Sequence, residues 1–143
     1  MKGWLLDTNV IASLIAPNGA PSVKAWAAAQ DEDLLFLSVL TLGEYDKGIA
    51  KLADDHPDRA RYAAARDDLE ARFEGRVLPV SDAVVRRWGA LSGAIHRVTS
   101  HPPPVIDTLF AATAIELDLC FVTRNVKDVA ASGVKLINPW DAK

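Results

Sequence analysis

Three carboxylates are spaced so that an alternating strand and helix chain would gather them. Asp7 ends a short apolar run, Glu44 lies in the first turn of the helix after a second run, and Asp107 opens a helix leading back to a fourth. Asn125 follows that fourth run, and Asp128 stands three residues further on. In open α/β sheets, sites form beyond the carboxyl ends of the strands, so residues distant in sequence meet at one edge. Carboxylates gathered there repel one another, which raises their pKa values and costs stability unless a cation is present. Oxygen donors with no His or Cys beside them favour Mg²⁺, with Mn²⁺ as the alternative, over Zn²⁺. Such an ion activates water and neutralises charge during in-line displacement at phosphorus. The residues therefore point to a metal-dependent phosphodiesterase or phosphatase and leave the substrate open.

Taken singly, each acid also has a capping explanation. Asp7 can cap the helix that follows it. Thr41-Leu42-Gly43-Glu44 fits a capping box, and Asp107 can cap its helix or oppose the helix dipole. Capping does not account for all three arriving at the same edge.

The elements that must position these acids are legible as short apolar runs alternating with longer helical patterns. The strand candidates are residues 4–7, 34–38, 77–80, 120–123 and 135–137, each short, continuous and mostly apolar, as in a parallel sheet covered on both faces. Helical patterns occupy residues 9–16, 21–30, 41–53, 58–73, 82–98 and 107–117, separated by breaks such as Pro17-Asn18-Gly19 and His101-Pro102-Pro103-Pro104. Ile106, Phe110, Thr113 and Leu117 recur at the spacing of one helix face. The expected architecture is an α/β three-layer sandwich, a mostly parallel five-stranded sheet with right-handed crossovers, flanked by helices.

Composition narrows the class. The chain has 143 residues, half of them apolar and 24% charged, with a formal net charge of -3. That length suits one domain, here residues 1–143, and the composition argues against disorder. No apolar run approaches the ~18 residues of a membrane span. Asp7 and Asn9 interrupt what would be a signal peptide. Cys120 is the only cysteine, which excludes an internal disulfide and any multi-cysteine metal site and reads as a reduced, cytoplasmic protein. A mild negative charge gives no broad attraction for nucleic acid, so such binding must rest on local cations or a metal. No P-loop, Gly-x-Ser-x-Gly elbow or dinucleotide fingerprint is present.

Four motifs, the last of them in two strings, carry a family resemblance. Leu5-Leu6-Asp7-Thr8-Asn9-Val10 resembles the opening of the PIN-domain ribonucleases. The string from Ser38 to Glu44 is similar to that family's second motif, and the string from Asp107 to Ala114 to its third. Val122-Thr123-Arg124-Asn125-Val126-Lys127-Asp128, with Ile137-Asn138-Pro139-Trp140, looks like the C-terminal signature of VapC-type toxins. The resemblance implies a magnesium-dependent endoribonuclease, the toxin half of a toxin–antitoxin pair, acting as a homodimer and held in check by a small VapB-like antitoxin. By position, Asp7, Asp107 and Glu44 are the implied metal ligands, with Glu44 also orienting or deprotonating the attacking water. Thr8, Asn9, Ser38 and Thr123 are the implied groups that hold the carboxylates. Asn125 stands where many relatives carry a fourth acid, so a second metal is in question, and Asp128 is the nearest substitute.

The remaining residues carry less. Arg124 and Lys127, beside a site motif, are candidate RNA contacts, and Arg86, Arg87 and Arg97 are candidates with a better explanation as solvated surface. His56, His96 and His101 lie outside the motifs; the four tryptophans and Cys120 read as core or interface residues. Helices between Thr41 and Phe73 could form an antitoxin groove, a dimer seam or ordinary core. Two rival functions stand: a magnesium-dependent phosphatase for small phosphoesters, and an inactive PIN-like binding module, which Asn125 would suit.

Overall fold

The computed structural model describes residues 1–141. Trp4–Leu6 forms β1, and its consecutive Leu5 and Leu6 are both wholly buried. Successive strand residues face opposite ways, so burial of both means that β1 is covered on both faces. Leu35–Ser38 (β2) and Cys120–Val122 (β4) pair with it in parallel on either side, Trp4 lying opposite both Leu35 and Cys120. Val77–Leu78 (β3) and Leu136–Ile137 (β5) complete the sheet in the order β3-β2-β1-β4-β5. Every pairing is parallel, so the sheet is wholly rather than mostly parallel. Gly3 leads into β1 at φ +154, and a Cβ there would stand 2.6 Å from the Leu34 carbonyl oxygen.

The helices are Thr8–Ile15 (α1), Pro21–Ala28 (α2), Val39–Ala50 (α3), Arg59–Arg72 (α4), Asp82–Thr99 (α5), Val105–Glu116 (α6) and Val126–Val129 (α7). Helices α1 to α4 cover one face with Val10, Ile11, Val23, Trp26, Leu42 and Leu69. Helices α6 and α7 cover the other through Phe110, Ala111, Ala114 and Val129, joined by Leu91 of α5. The Phe110 and Phe121 rings stack at 5.4 Å, and Trp4 meets Trp26 edge-on at 5.2 Å. Each large side chain buried this way contributes about 2 kcal/mol. Among the described residues no helix is long and apolar enough to cross a membrane.

Three expectations change. Helix α3 begins at Val39, because Ser38 leaves the strand with an extended backbone and its hydroxyl accepts from the Leu40 N–H at 3.0 Å. Glu44 therefore lies in the second turn rather than the first, and no capping box forms at Thr41. Helix α6 begins at Val105, after Pro104, so Asp107 is its third residue and not its opening one. On α6 the proposed face is half right: Phe110 and Thr113 are buried, but Ile106 and Leu117 are 43% and 37% exposed. The helix is enclosed at its middle, where Ala111, Ala112 and Ala114 are also buried, and emerges at both ends. Helix α7 has only four residues, too few for a periodic signal.

Candidate active site

Strands β1 and β4 end side by side, and the Asp7 N–H continues their ladder to the Val122 carbonyl at 2.9 Å. The next residue on each strand is therefore adjacent to the other, and both are polar and buried. Asp7 is 6% exposed and Thr123 is fully buried. The Thr123 hydroxyl donates to Asp7 Oδ2 at 2.6 Å and accepts from the Asn125 N–H at 3.0 Å. Asp7 Oδ1 accepts the Thr8 N–H at 2.7 Å, so Asp7 does cap α1, as its sequence position allows. Both carboxylate oxygens are thus held, and each keeps a lone pair free.

Thr8 links this strand end to α3. Its hydroxyl lies 2.7 Å from Glu44 Oε1 and 2.9 Å from Thr41 Oγ1. A hydroxyl has one proton and an ionised carboxylate can only accept, so Thr8 donates to Glu44 and Thr41 donates to Thr8. Thr41 is fully buried, although by its local sequence it reads only as a helix start. The available signal was its place three residues before Glu44, which puts both on one helix face. Among the described residues the Ser38 hydroxyl hydrogen-bonds to no carboxylate; it acts by starting α3. Asn9 Oδ1 is buried beside the cluster with no hydrogen-bond partner among the described residues.

The acids feel one another. Asp7 is pushed above the ordinary carboxylate range, chiefly by burial, against the pull of the Thr123 and Thr8 hydrogen bonds and with the charges of Asp107 and Glu44 adding to the rise. Asp107, half-buried on α6, is raised by burial and by the charges of Asp128 and Glu44. Asp7, Glu44, Asp107 and Asp128 thus share one neighbourhood, Asp128 from the exposed side on α7. Asn125 is also exposed, and its side chain caps nothing. Among the described residues no three Asp, Glu, His or Cys side chains stand close enough to hold an ion as placed. The chemistry of the donors nonetheless suits one. They are all oxygen, they repel while unneutralised, and Asn9 leaves an orphaned oxygen at the same edge.

This arrangement can be set beside known proteins. The sequence profile of the PIN domain family matches residues 4–129. The chain belongs to the PIN domain family. It is similar to the VapC ribonuclease Y4jK of Sinorhizobium fredii, 31% identical over 141 residues that cover 96% of this chain and 97% of that protein. Toxin FitB of Neisseria gonorrhoeae is 27% identical over 136 residues, covering 95% and 97%. A solved structure of FitAB bound to an IR36 DNA fragment superposes with a TM-score of 0.84, at 26% identity over 98% of this chain and 97% of that one.

The other candidate residues of this PIN domain separate by position. Arg124 and Lys127 are exposed on the loop and helix after β4, at the acidic edge, and the Arg124 guanidinium lies 5.0 Å from the centre of the Trp140 ring. Arg86 and Arg87 are engaged elsewhere, with Asp82 at 2.8 Å and Glu116 at 3.0 Å. His56 accepts the Asp58 N–H through Nδ1 within a turn, while His96 and His101 are exposed at the end of α5 and just beyond it. Cys120 is buried, as expected of a small apolar residue in a strand.

Proposed function

We propose that this PIN domain is a magnesium-dependent endoribonuclease and the toxin of a VapBC-type toxin–antitoxin pair, with Mn²⁺ able to replace Mg²⁺. The observation that carries the reading is the buried Asp7, held by Thr123 and Thr8 among the charges of Asp107 and Glu44. A fold does not pay for such repulsion without use. Relatives that span nearly the whole chain and are named a ribonuclease and a toxin support it. The FitAB assembly supports a small antitoxin partner. A homodimer and a cytoplasmic location complete the reading, with residues 1–143 acting as one nuclease domain.

Asp7, Asp107 and Glu44 would hold the cation. When bound, it supplies a water of lowered pKa and neutralises charge on the phosphate. Glu44, aimed by the Thr8 hydroxyl, orients the attacking water and takes its proton. Thr123 keeps Asp7 turned into the site and favours its ionised form. Asn9, with its free oxygen, positions groups at the same edge. Asn125 serves through its backbone N–H on Thr123 and, as an amide, orients water rather than acting as a base. Asp128 adds negative charge beside Asp107. Arg124, over the Trp140 ring, and Lys127 would grip the RNA backbone where it leaves the site. The products are a 5′-phosphate and a 3′-hydroxyl.

The test is cleavage of a mixed-sequence single-stranded RNA by the purified protein with Mg²⁺ or EDTA, beside Asp7→Asn. Cleavage that needs the ion and is lost in the variant is expected. Turnover of a small phosphoester with RNA untouched would replace this reading with a phosphatase.

A further inference from the structure

We infer that the groove between α3 and the start of α6 is a phosphate-binding track that leads single-stranded RNA to the acidic cluster, with Lys47 and Lys51 as its cations. The inference rests on the ribonuclease reading above. The groove encloses about 440 Å³ and is lined by Val39, Leu40, Gly43, Lys47, Lys51 and Ile106, with Glu44 on its wall. It therefore runs into the site twice over: Glu44 forms part of it, and Ile106 adjoins Asp107. Glu44, Lys47 and Lys51 follow at intervals of three and four residues and so share one stripe of the helix. The two lysines are about 6 Å apart along the axis, at 1.5 Å per residue. Gly43 lies between Leu40 and Lys47 on that side, and a Cβ there would meet nothing within 4 Å, so the groove stays open.

Neither lysine has a carboxylate partner among the described residues. Nearby cations are committed: Arg66 to Asp46 and Glu70, Arg59 to Asp54, and Arg61 to Asp58. Asp46, the acid next to Lys47, is thus already taken. A chain of net charge -3 has no general attraction for a polyanion, so free cations leading to the acids are what binding needs. They also have a function no neutral groove offers, holding phosphates against the repulsion of Glu44 and Asp107. The exposed Val39 and Ile106 give riboses and bases an apolar floor. Lysine is depleted at the cores of protein interfaces, which favours RNA over a protein as the occupant.

The test compares the full-length protein with Lys47→Gln, Lys51→Gln and the double variant, using a mixed-sequence single-stranded RNA. Lys135→Gln, before β5 at the opposite edge of the sheet, is the control. KM is measured from low to moderate salt, with melting temperature and oligomeric state recorded for each protein. Each substitution is expected to raise KM about fivefold at 0.1 M salt and to reduce the slope of log affinity on log salt by about 0.7. The value of kcat should stay near that of the parent, and Lys135→Gln should change nothing. A lower melting temperature with an unchanged salt slope would mean that the lysines only offset the dipole at the end of α3, and would overturn the inference. A changed oligomeric state with an unchanged slope would assign the groove to a second protein chain and would also overturn it. A parent protein that cleaves no RNA would sink the ribonuclease reading and this one together, whereas cleavage with indifferent lysine variants would sink this one alone.

Discussion

At the scale of single residues, the site depends on two hydroxyls as much as on its acids. Thr123 orients Asp7, which burial and neighbouring charge push toward protonation, and Thr8 orients Glu44 from the next strand end. Removing the Thr123 hydroxyl in Thr123→Val is expected to cut RNA cleavage about 10- to 100-fold. It also removes a hydrogen bond that lowers the Asp7 pKa, so the acid limb of the pH–rate profile should move to higher pH. A profile that stays in place would show that Thr123 supports only the fold. Asp7→Asn goes further. It is expected to lower kcat at least about a hundredfold, because several kcal/mol of charge stabilisation depend on the ligand it removes. The metal-free variant should melt at a higher temperature than the parent, since a repelled, desolvated charge is gone. Calorimetry in EDTA decides this, and a lower melting temperature would mean that the hydrogen bonds of Asp7 outweigh its repulsion.

At the scale of elements, Ser38 does the positioning. Because the strand passes into α3 without a loop, the last strand residue is also the helix cap, and the cap sets where Glu44 falls on the helix. Ser38→Ala is expected to cost about 1 kcal/mol, as for other lost caps. If the first turn of α3 frays, Glu44 loses its alignment with Thr8, so cleavage should fall more than the stability loss explains. Urea unfolding beside kcat separates the two effects. The same junction shows how much of an element a sequence reveals. All five strands were legible from their apolar runs and six helices from their periodicity, because burial dictates both patterns. Local signals place two helix starts at Thr41 and Asp107, whereas the helices begin at Val39 and Val105. A capping box at Thr41 and an acid at Asp107 are acceptable local signals, but a cap at Ser38 and the turn after Pro104 won.

At the scale of the whole molecule, the acidic edge ties stability to pH and to divalent ions. Asp7 and Asp107 bind protons more tightly folded than unfolded. Between the ordinary carboxylate value and their raised ones, the folded state therefore holds more protons. Their contribution to stability is greatest in acid and is lost as the pH rises through the raised values. Metal-free protein should accordingly lose stability through that window, with the loss levelling off above it. Adding Mg²⁺ at neutral pH should reverse it, by about 2.7 kcal/mol at a hundredfold excess over the dissociation constant. Thermal melts against pH, with Mg²⁺ and with EDTA, read both effects. Equal melting temperatures with and without the ion would contradict the metal reading.

The sequence by itself determined which residues could take part. Asp7, Glu44 and Asp107 stand at the strand and helix boundaries where a parallel α/β chain places its chemistry, and local periodicity is enough to find those boundaries. It could also show that the sheet is buried on both faces, since continuous apolar strands have no solvent side. Only the tertiary structure decided how the residues meet. The pairing of β1 with β4 brings Thr123 onto Asp7 across 116 positions of chain, and the pairing of β1 with β2 sets the starts of α1 and α3 side by side, so that Thr8 meets Glu44 and Thr41. Nothing local requires those contacts, because hydrogen bonds between distant segments depend on which strands lie side by side. The same is true of the free lysines on α3. Their charge is plain in the sequence, but their lack of carboxylate partners among the described residues follows from where α4 sets Arg59 and Arg66, on Asp54 and Asp46.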